Sequence, residues 1–416
     1  MQSKNTLLLV LPALQAKAIN GARFYEKQAA NGISRWAENF DAVTVACPAL
    51  AYEDRGTAIE YTALADIEHI ERIQFIELPH SWGLFKFLTL YKSTQQILSD
   101  LISRHQFLSF SIGGLIGDWG SVACMQAHRM RRKYSVWTDR VEHKVVKGSY
   151  RDRRGIGRLT RWARAHIEAP LMAALEKAVI KRSALGLFHG ADCFEAYSPY
   201  SKRPFLVHDI HLKKCDQASD QSIDKKCDVV LSGGLIEIVY AGRIAAMKGP
   251  LEWIEALHTV YKAGIKFRAT WLGDGPLMSE AKAKVAELKL NDSIHFAGML
   301  TNRDELLARL RAAHVFVFCH KTPESPRSLI EALMAATPIV GYQSHYAADL
   351  LGNGDLSRQL LVGHNAQQLG EKLCEIISDR PALIDLIRAS AQIGKQFSDD
   401  AVFKHRSELI KEYSAA

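Results

Sequence analysis

The sequence predicts an α/β protein made of two doubly wound parallel-sheet domains in tandem. The chain of 416 residues is longer than one core of ordinary size requires. Short runs that are apolar on both faces alternate with helical stretches, which is typical of a parallel sheet covered by helices. A polar stretch, residues 212–234, separates two such series and predicts a linker.

The first series occupies residues 1–211. A continuous apolar strand at Thr6–Leu11 precedes a helix over Phe24–Asn39. Further strands are expected at 42–47, 73–78, 106–112, 133–138 and 184–189. The apolar start is short for a secretion signal, and no run reaches the roughly 18 residues of a membrane span. We therefore expect a cytoplasmic protein.

The second series occupies residues 235–397, and a final helix is expected from Ser398 to the end. Strands are expected at 236–240, 267–272, 293–296, 314–318 and 338–342, and helices at 250–262, 277–289, 303–312 and 326–335. Doubly wound sheets bind ligands at the carboxyl ends of their strands, so a cleft between the domains is the expected site.

Cysteines and acidic residues give no sign of a metal site. The seven cysteines are scattered and form no Cys-x-x-Cys pair, so buried thiols are expected. No Asp-x-Asp motif stands at a strand end. We expect neither a metal nor a cofactor.

Positive charge is concentrated between His128 and Arg164, where thirteen Lys and Arg residues face three acidic ones. Residues 144–166 mix Arg with Ile, Leu and Trp, which is typical of an interfacial helix on an anionic membrane. A solvated helix face explains the same charges. A nucleic-acid partner is not expected, because no recognised binding motif accompanies the charge.

The stretch ESPRSLIEAL begins at Glu324. Ser325 is predicted as an N-cap and Pro326 as the first helical residue. Amides at the start of that helix would favour a phosphate. They belong to Arg327, Ser328 and Leu329. Glu324 and Glu331 flank this helix start; helix capping and ligand binding both account for them.

Three other strand ends are expected at the same edge. Arg243 directly follows a strand and Lys248 precedes a helix, so they are either a diphosphate clamp or two solvated cations. Gly273 lies in a tight turn that needs glycine. Met299 and Leu300 follow another strand, where contacts to the base of a nucleotide are expected.

From about residue 236 to 345 the chain resembles glycosyltransferase family 4, the retaining group 1 enzymes of the GT-B fold. The shared motifs are Gly-Arg…Lys-Gly, Leu-Gly-Asp-Gly-Pro, Phe-Ala-Gly and Glu…Glu-Ala-Leu-Met-Ala…Pro-Ile-Val-Gly, in the family's order. The resemblance implies a nucleotide-sugar domain at 235–397 that faces an acceptor domain at 1–211 across a cleft. The helix at 398–416 would pack back on the acceptor domain.

The resemblance also implies roles for single residues. Arg243 and Lys248 match the pair that neutralises the donor diphosphate, and Glu331 matches the glutamate that holds the ribose hydroxyls. The family usually has one residue more between its two glutamates, so either Glu324 faces the transferred sugar or that carboxylate is missing. The position of Glu-Ser-Pro-Arg favours Glu324. Arg327 has no match in the common pattern; it would contact a phosphate, an acidic sugar or solvent.

In the first domain the resemblance points to three residues. Gly21 lies where the family has a glycine-rich loop near donor and acceptor. Asp139 stands where many members carry a cleft histidine, and His143 follows four residues later. A lone histidine is more often structural. With Glu324, Asp139 and His143 are the candidate catalytic residues.

The implied function is retaining, metal-independent transfer of a sugar from a UDP- or GDP-type nucleotide sugar to a hydroxyl of a glycan or lipid-linked acceptor. Bacterial polysaccharide or glycolipid biosynthesis, at the inner face of the membrane, is the expected setting. Two alternatives stay open. One is a catalytically degenerate relative that binds nucleotide sugar without turnover, and the other is a peripheral membrane protein that acts through its basic segment.

Overall fold

The computed structural model describes the chain except residues 1–4, 55–59, 82, 147–163, 209, 211, 301, 323–324, 353 and 416 and the side chains of residues 28, 164 and 165. Two compact units are present. Unit 1 comprises Met1–His211 and Asp399–Ala416, and unit 2 comprises Leu212–Ser398.

The named strands are β1 (Thr6–Val10), β2 (Gln15–Lys17), β3 (Arg23–Glu26), β4 (Ala42–Ala51), β5 (Tyr61–Ala63), β6 (Ile73–Pro79), β7 (Phe107–Ser111), β8 (Ser135–Thr138), β9 (Leu185–His189), β10 (Pro204–Val207), β11 (Ile236–Ala241), β12 (Phe267–Leu272), β13 (Ile294–Gly298), β14 (Val315–Phe318), β15 (Ile339–Tyr342) and β16 (Leu361–Val362). The named helices are α1 (Lys27–Asn39), α2 (Leu84–Arg104), α3 (Trp119–Arg129), α4 (Ala169–Arg182), α5 (Gly190–Tyr197), α6 (Asp220–Leu231), α7 (Pro250–Lys262), α8 (Met278–Glu287), α9 (Arg303–Ala312), α10 (Arg327–Met334), α11 (His345–Leu350), α12 (Asp355–Leu360), α13 (Ala366–Ser378), α14 (Arg380–Gly394) and α15 (Asp399–Tyr413).

The sheet of unit 1 has the order β10-β9-β8-β7-β1-β4-β2-β3-β5, and β6 also pairs with β4. Its pairings are parallel except those of β3 with β2 and β5. In β1, Leu8 and Val10 pack into one apolar cluster and Leu7 and Leu9 into another. Because successive side chains point to opposite faces, both faces of this strand must be apolar.

The sheet of unit 2 has the order β13-β12-β11-β14-β15-β16, and all its pairings are parallel. The chain leaves β11 toward β12 and β13, then returns to β14 on the other side of β11. This reversal between β11 and β14 defines the topological switch point of a doubly wound sheet. The predicted α/β fold class is therefore confirmed for both units.

Helix α15 completes the core of unit 1. The Phe403 ring meets Trp36 of α1 edge-on at 5.2 Å between ring centres. The buried carboxylate of Asp399 accepts a hydrogen bond from Arg35 Nε at 3.1 Å. The buried guanidinium of Arg406 lies 5.1 Å from the Trp36 ring centre and 5.2 Å from that of Trp137. The last helix thus contributes both apolar and ionic contacts to this unit.

Two segments differ from the sequence prediction. The helix expected from residue 24 begins at Lys27, because Arg23–Glu26 pairs as β3 with β2 and β5. Much of the linker expected at 212–234 is helix α6, which buries Ile223, Cys227 and Val230 within unit 2. Their spacing of four and three residues is helical, but the polar residues between them hid it.

Candidate functional site

Backbone contacts join the exits of β11 and β12 at one edge of the unit 2 sheet. Gly242 N donates to Leu272 O at 2.9 Å, and Ile244 N donates to Asp274 O at 3.0 Å. Gly273 has a φ of 148°, and a Cβ there would lie 2.1 Å from Gly242 O. No other residue fits without moving the backbone, so packing between the two loops accounts for Gly273.

Arg243 and Lys248 lie on the loop between β11 and α7. Arg243 is exposed and Lys248 is half-buried. Gly249, at φ 63°, lies so close to Cys319 that a Cβ would be 2.4 Å from its carbonyl oxygen. This contact brings the Lys248 end of the loop against the end of β14. The pKa of His320, two residues after β14, is held well below 6.5 by burial and by the positive charge of Lys248.

His320 was not predicted as a site residue from the sequence. Its Nε2 lies 2.8 Å from the hydroxyl of Tyr240 on β11. A neutral imidazole and a tyrosine hydroxyl can each donate or accept, so the two groups satisfy each other in either tautomer of the ring. This pair links β11 to the exit of β14 beneath the Lys248 loop. In the sequence, the position of this histidine just after the buried run Val315–Phe318 is the signal that could have indicated it.

Helix α10 begins one residue later than predicted. Its N-cap is Pro326, with extended backbone, and its first residue is Arg327. The prediction of Ser325 as the N-cap is wrong, because Pro326 keeps an extended backbone with a ψ of 120°, so the helix starts one residue later. Ser325, Ser328 and Arg327 are half-buried, while Leu329 is buried against the sheet. The first-turn amides therefore belong to the predicted residues, although the cap does not.

A buried lysine holds the other end of α10. Lys226 Nζ donates to Ala335 O at 3.0 Å, to Ala336 O at 2.9 Å and to Thr337 Oγ1 at 2.9 Å. Burial lowers the pKa of this amine to about 7. A donor at the helix C-terminus satisfies carbonyls that have no partner within the helix. Lys226 therefore fixes the axis of the helix whose first turn carries the candidate phosphate donors.

Glu331 lies on α10 and is paired. Its Oε1 is 3.6 Å from Nη2 of Arg303, the first residue of α9, and its side chain is 13% exposed. Arg303 was not predicted, because 27 intervening residues separate the two in sequence. Met299 is 76% exposed and Leu300 half-buried on the connection between β13 and α9. Glu324 lies outside the described residues.

In unit 1, His143 is held by a buried carboxylate. Its Nδ1 lies 2.7 Å from Glu176 Oε2, which also accepts the hydroxyl of Tyr197 at 2.8 Å. Burial, and then the adjacent charge of Glu176, raise the pKa of Tyr197 far above its usual range. Because a carboxylate accepts, Nδ1–H of His143 donates to Glu176, which fixes the orientation of the ring and leaves Nε2 for another partner.

The other two candidates of unit 1 are exposed. Asp139 directly follows β8, and its Oδ1 lies 3.9 Å from Arg140 Nε. Gly21 lies in the turn between β2 and β3 with a φ of 84°, and its N–H donates to Ala18 O at 2.9 Å. The turn itself requires this backbone conformation, so hairpin geometry is sufficient to explain Gly21.

Comparison with known proteins identifies the class of the second unit. Residues 225–393 match the family described as glycosyl transferases group 1. The unit 2 residues singled out above, from Arg243 to Glu331, all lie inside this range. The match confirms, over residues 225–393, the resemblance inferred from the motifs.

Curated relatives are glycosyltransferases. Over 234 residues the chain is 27% identical to 2-deoxystreptamine glucosyltransferase of Streptomyces kanamyceticus, covering 54% of this chain and 59% of that protein. Over 153 residues it is 26% identical to alpha-monoglucosyldiacylglycerol synthase of Streptococcus pneumoniae, covering 33% and 34%. The chain thus spans between a third and three fifths of these relatives.

Solved structures confirm the GT-B fold. The crystal structure of Anabaena Alr3699/HepE in complex with UDP superposes with a TM-score of 0.62 at 13% identity, covering 97% of this chain and 98% of that one. At this identity the likeness concerns the fold alone. Within the part of the chain that the structure describes, no helix is both long and apolar enough to cross a bilayer.

Proposed function

We propose that the protein transfers a sugar from a nucleoside-diphosphate sugar to a hydroxyl of a glycan or lipid-linked acceptor, in bacterial polysaccharide or glycolipid assembly. One observation carries the proposal: Lys248 and the start of α10 follow β11 and β14, the two strands between which the strand order of unit 2 reverses. Ligands of doubly wound sheets bind outside the carboxyl ends of the strands at this point. The UDP in the structure of the HepE neighbour supports a uridine donor.

The proposed chemistry uses charge rather than a metal. Lys248, Arg243 and the first amides of α10 would stabilise the negative charge that develops on the departing diphosphate. Glu331 would accept hydrogen bonds from the ribose hydroxyls, and Glu324 would face the transferred sugar. The acceptor hydroxyl attacks from the side on which the diphosphate leaves and gives its proton to the departing oxygen. The anomeric configuration is then retained.

Residues of unit 1 would serve the acceptor side. His143 would present Nε2 to the acceptor, because its Nδ1–H donates a hydrogen bond to Glu176. Contacts to donor or acceptor are also proposed for Asp139, Gly21, Met299, Leu300, Ser325, Ser328 and Arg327. We also propose that residues 144–166 contact an anionic membrane surface; most of that segment lies outside the described residues.

The test is a thermal-shift screen against UDP, GDP, ADP, CMP and their common sugars, repeated with Lys248→Ala. Selective stabilisation by one diphosphate, lost in the variant, would identify the base and support the clamp. Lys262→Ala, an exposed lysine on the far end of α7, is the matched control. No stabilisation of the folded protein by any nucleotide would refute donor binding. Stabilisation without release of nucleoside diphosphate from its sugar, in the presence of acceptor glycans, would favour the degenerate relative.

A further inference from the structure

A basic groove lies at the amino-terminal edge of the unit 1 sheet. The parallel strands β8, β9 and β10 begin at Ser135, Leu185 and Pro204, so the segments that precede them meet at one edge. The end of α15 forms a further wall. The groove encloses about 490 Å³. That volume lies within the range of small-molecule sites.

The charged residues that line this groove are almost all positive. Its walls carry six permanent cations, Arg131, Arg132, Lys133, Arg182, Lys202 and Arg203. The only acidic residue among the lining residues is Glu412. Like charges brought together from separate segments repel each other, and an anion between them removes that cost.

Three of these cations make no ion pair with any residue that the structure describes: Arg131, Lys133 and Lys202. All three side chains are exposed. Elsewhere in unit 1 an arginine is neutralised by its neighbours, as where Arg35 contacts three carboxylates. Ammonium and guanidinium groups that have no protein partner remain available to a ligand.

The backbone at Arg131 is unusual. Its φ is 55°, in the left-handed region, and it directly follows the C-cap of α3. Arg131 N donates to His128 O at 3.0 Å and Arg132 N donates to Ala127 O at 2.9 Å. This is the helix-ending motif in which glycine is the usual residue. An arginine there is strained, and such strain is a reason to seek a function for the side chain.

Other cations are fixed and shape the walls. Arg132 donates through Nη1 to Ile102 O at 2.6 Å and through Nη2 to His105 O at 2.5 Å. The guanidinium carbon of Arg203 lies 5.1 Å from the ring centre of Tyr413. A ligand would therefore meet walls already in place, with the three unpaired cations free to adjust.

We propose that the basic groove binds an anion with two or more phosphate groups. This site is separate from the candidates at the other edge of the same sheet, because β8 has four residues and spans about 13 Å between the two edges. The phosphates would belong to a soluble compound or to anionic lipid head groups. Either source would present the same kind of phosphate group to the cations of the groove.

The test compares Lys133→Glu/Lys202→Glu with the control Lys266→Glu/Lys282→Glu, two exposed lysines of unit 2 with the same change of net charge. Both double variants are made in a Lys248→Ala background, so that the proposed donor site does not contribute. Calorimetry with inorganic pyrophosphate is one arm. Flotation with phosphatidylcholine vesicles, with and without phosphatidylglycerol, is the other. We expect the groove variant to bind at least about tenfold more weakly in one arm and the control to be unchanged.

Loss of pyrophosphate binding points to a soluble ligand, and loss of vesicle binding points to lipid head groups. Equal behaviour of the groove variant and the control in both arms overturns the proposal. Arg131→Gly separates binding from folding. Relief of the left-handed backbone strain should raise the melting temperature by a few degrees, whereas loss of the cation should weaken binding.

Discussion

Replacing Lys226 with methionine tests how the start of α10 is held in place. The amine is buried and donates to Ala335 O, Ala336 O and Thr337 Oγ1. Methionine keeps most of the apolar volume but removes the donor and the titratable group. The stability difference between wild type and variant therefore reports the charge state of this amine.

The sign follows from the two pKa values. Lysine has an ordinary pKa of 10.5, and burial lowers that of Lys226 to about 7. Between these two pKa values the amine is protonated in the unfolded chain and neutral in the folded chain, so the free energy of unfolding rises with pH. Below about pH 7 the amine is protonated in both states, and the penalty for burying its charge is complete. At about 1.36 kcal/mol per pH unit, the penalty reaches about 5 kcal/mol at low pH. It falls by about 2–3 kcal/mol between about pH 7.5 and about pH 9.5.

The assay is urea unfolding of both proteins at several pH values and constant ionic strength. We expect the stability of the wild type relative to Lys226→Met to increase by that amount across the interval. Lys225→Met, the exposed neighbour on the same helix, should show no such trend. A flat difference for Lys226→Met would refute the reasoning and mean that its three acceptors keep the amine charged.

Three further substitutions test the candidate site and the core of unit 1. Lys248→Ala should cost about 2–4 kcal/mol of transition-state stabilisation, measured as kcat/KM for donor hydrolysis, because a charge on the leaving diphosphate loses its partner. Unchanged turnover would remove Lys248 from the clamp. Glu331→Ala should cost a similar amount in the same assay, because contacts to the ribose are lost. Arg303→Ala removes the partner of Glu331 and should cost less. A larger loss for Arg303→Ala than for Glu331→Ala would contradict the ribose assignment. Asp399→Ala should lower the unfolding free energy by about 1–3 kcal/mol, because Arg35 loses its most buried carboxylate and keeps only Glu38 and Glu68, and a loss below about 0.5 kcal/mol would show that these two compensate.

Unit 2 was largely predictable because its local signals agree with one another. Gly249 and Pro250 mark the start of α7, and the predicted range 250–262 is the observed one. Asn302 caps α9 by accepting hydrogen bonds from the amides of Asp304 and Glu305, and the range 303–312 also coincides. Strands buried on both faces leave continuous apolar runs that need no tertiary information to recognise.

The rest of the fold depends on partners distant in sequence. Strands β2 and β3 are only three and four residues long, and their pairing overrides a pattern that looks helical from Phe24 onward. Likewise, the polar composition of α6 hides a buried amine that binds carbonyls more than a hundred residues away. Neither Lys226 nor Arg303 lies in a recognisable local motif, so their contacts could not be predicted from the sequence.

Unit 1 is discontinuous along the chain, and this has a consequence for the order of folding. Residues 212–398 form one uninterrupted unit that leaves the ribosome before α15 does. Until α15 arrives, the apolar face around Trp36 of α1 is uncovered, and Arg35 lacks the carboxylate of Asp399. The part of the protein made first is therefore completed last, and a fragment that ends at residue 211 would expose the surface that α15 covers.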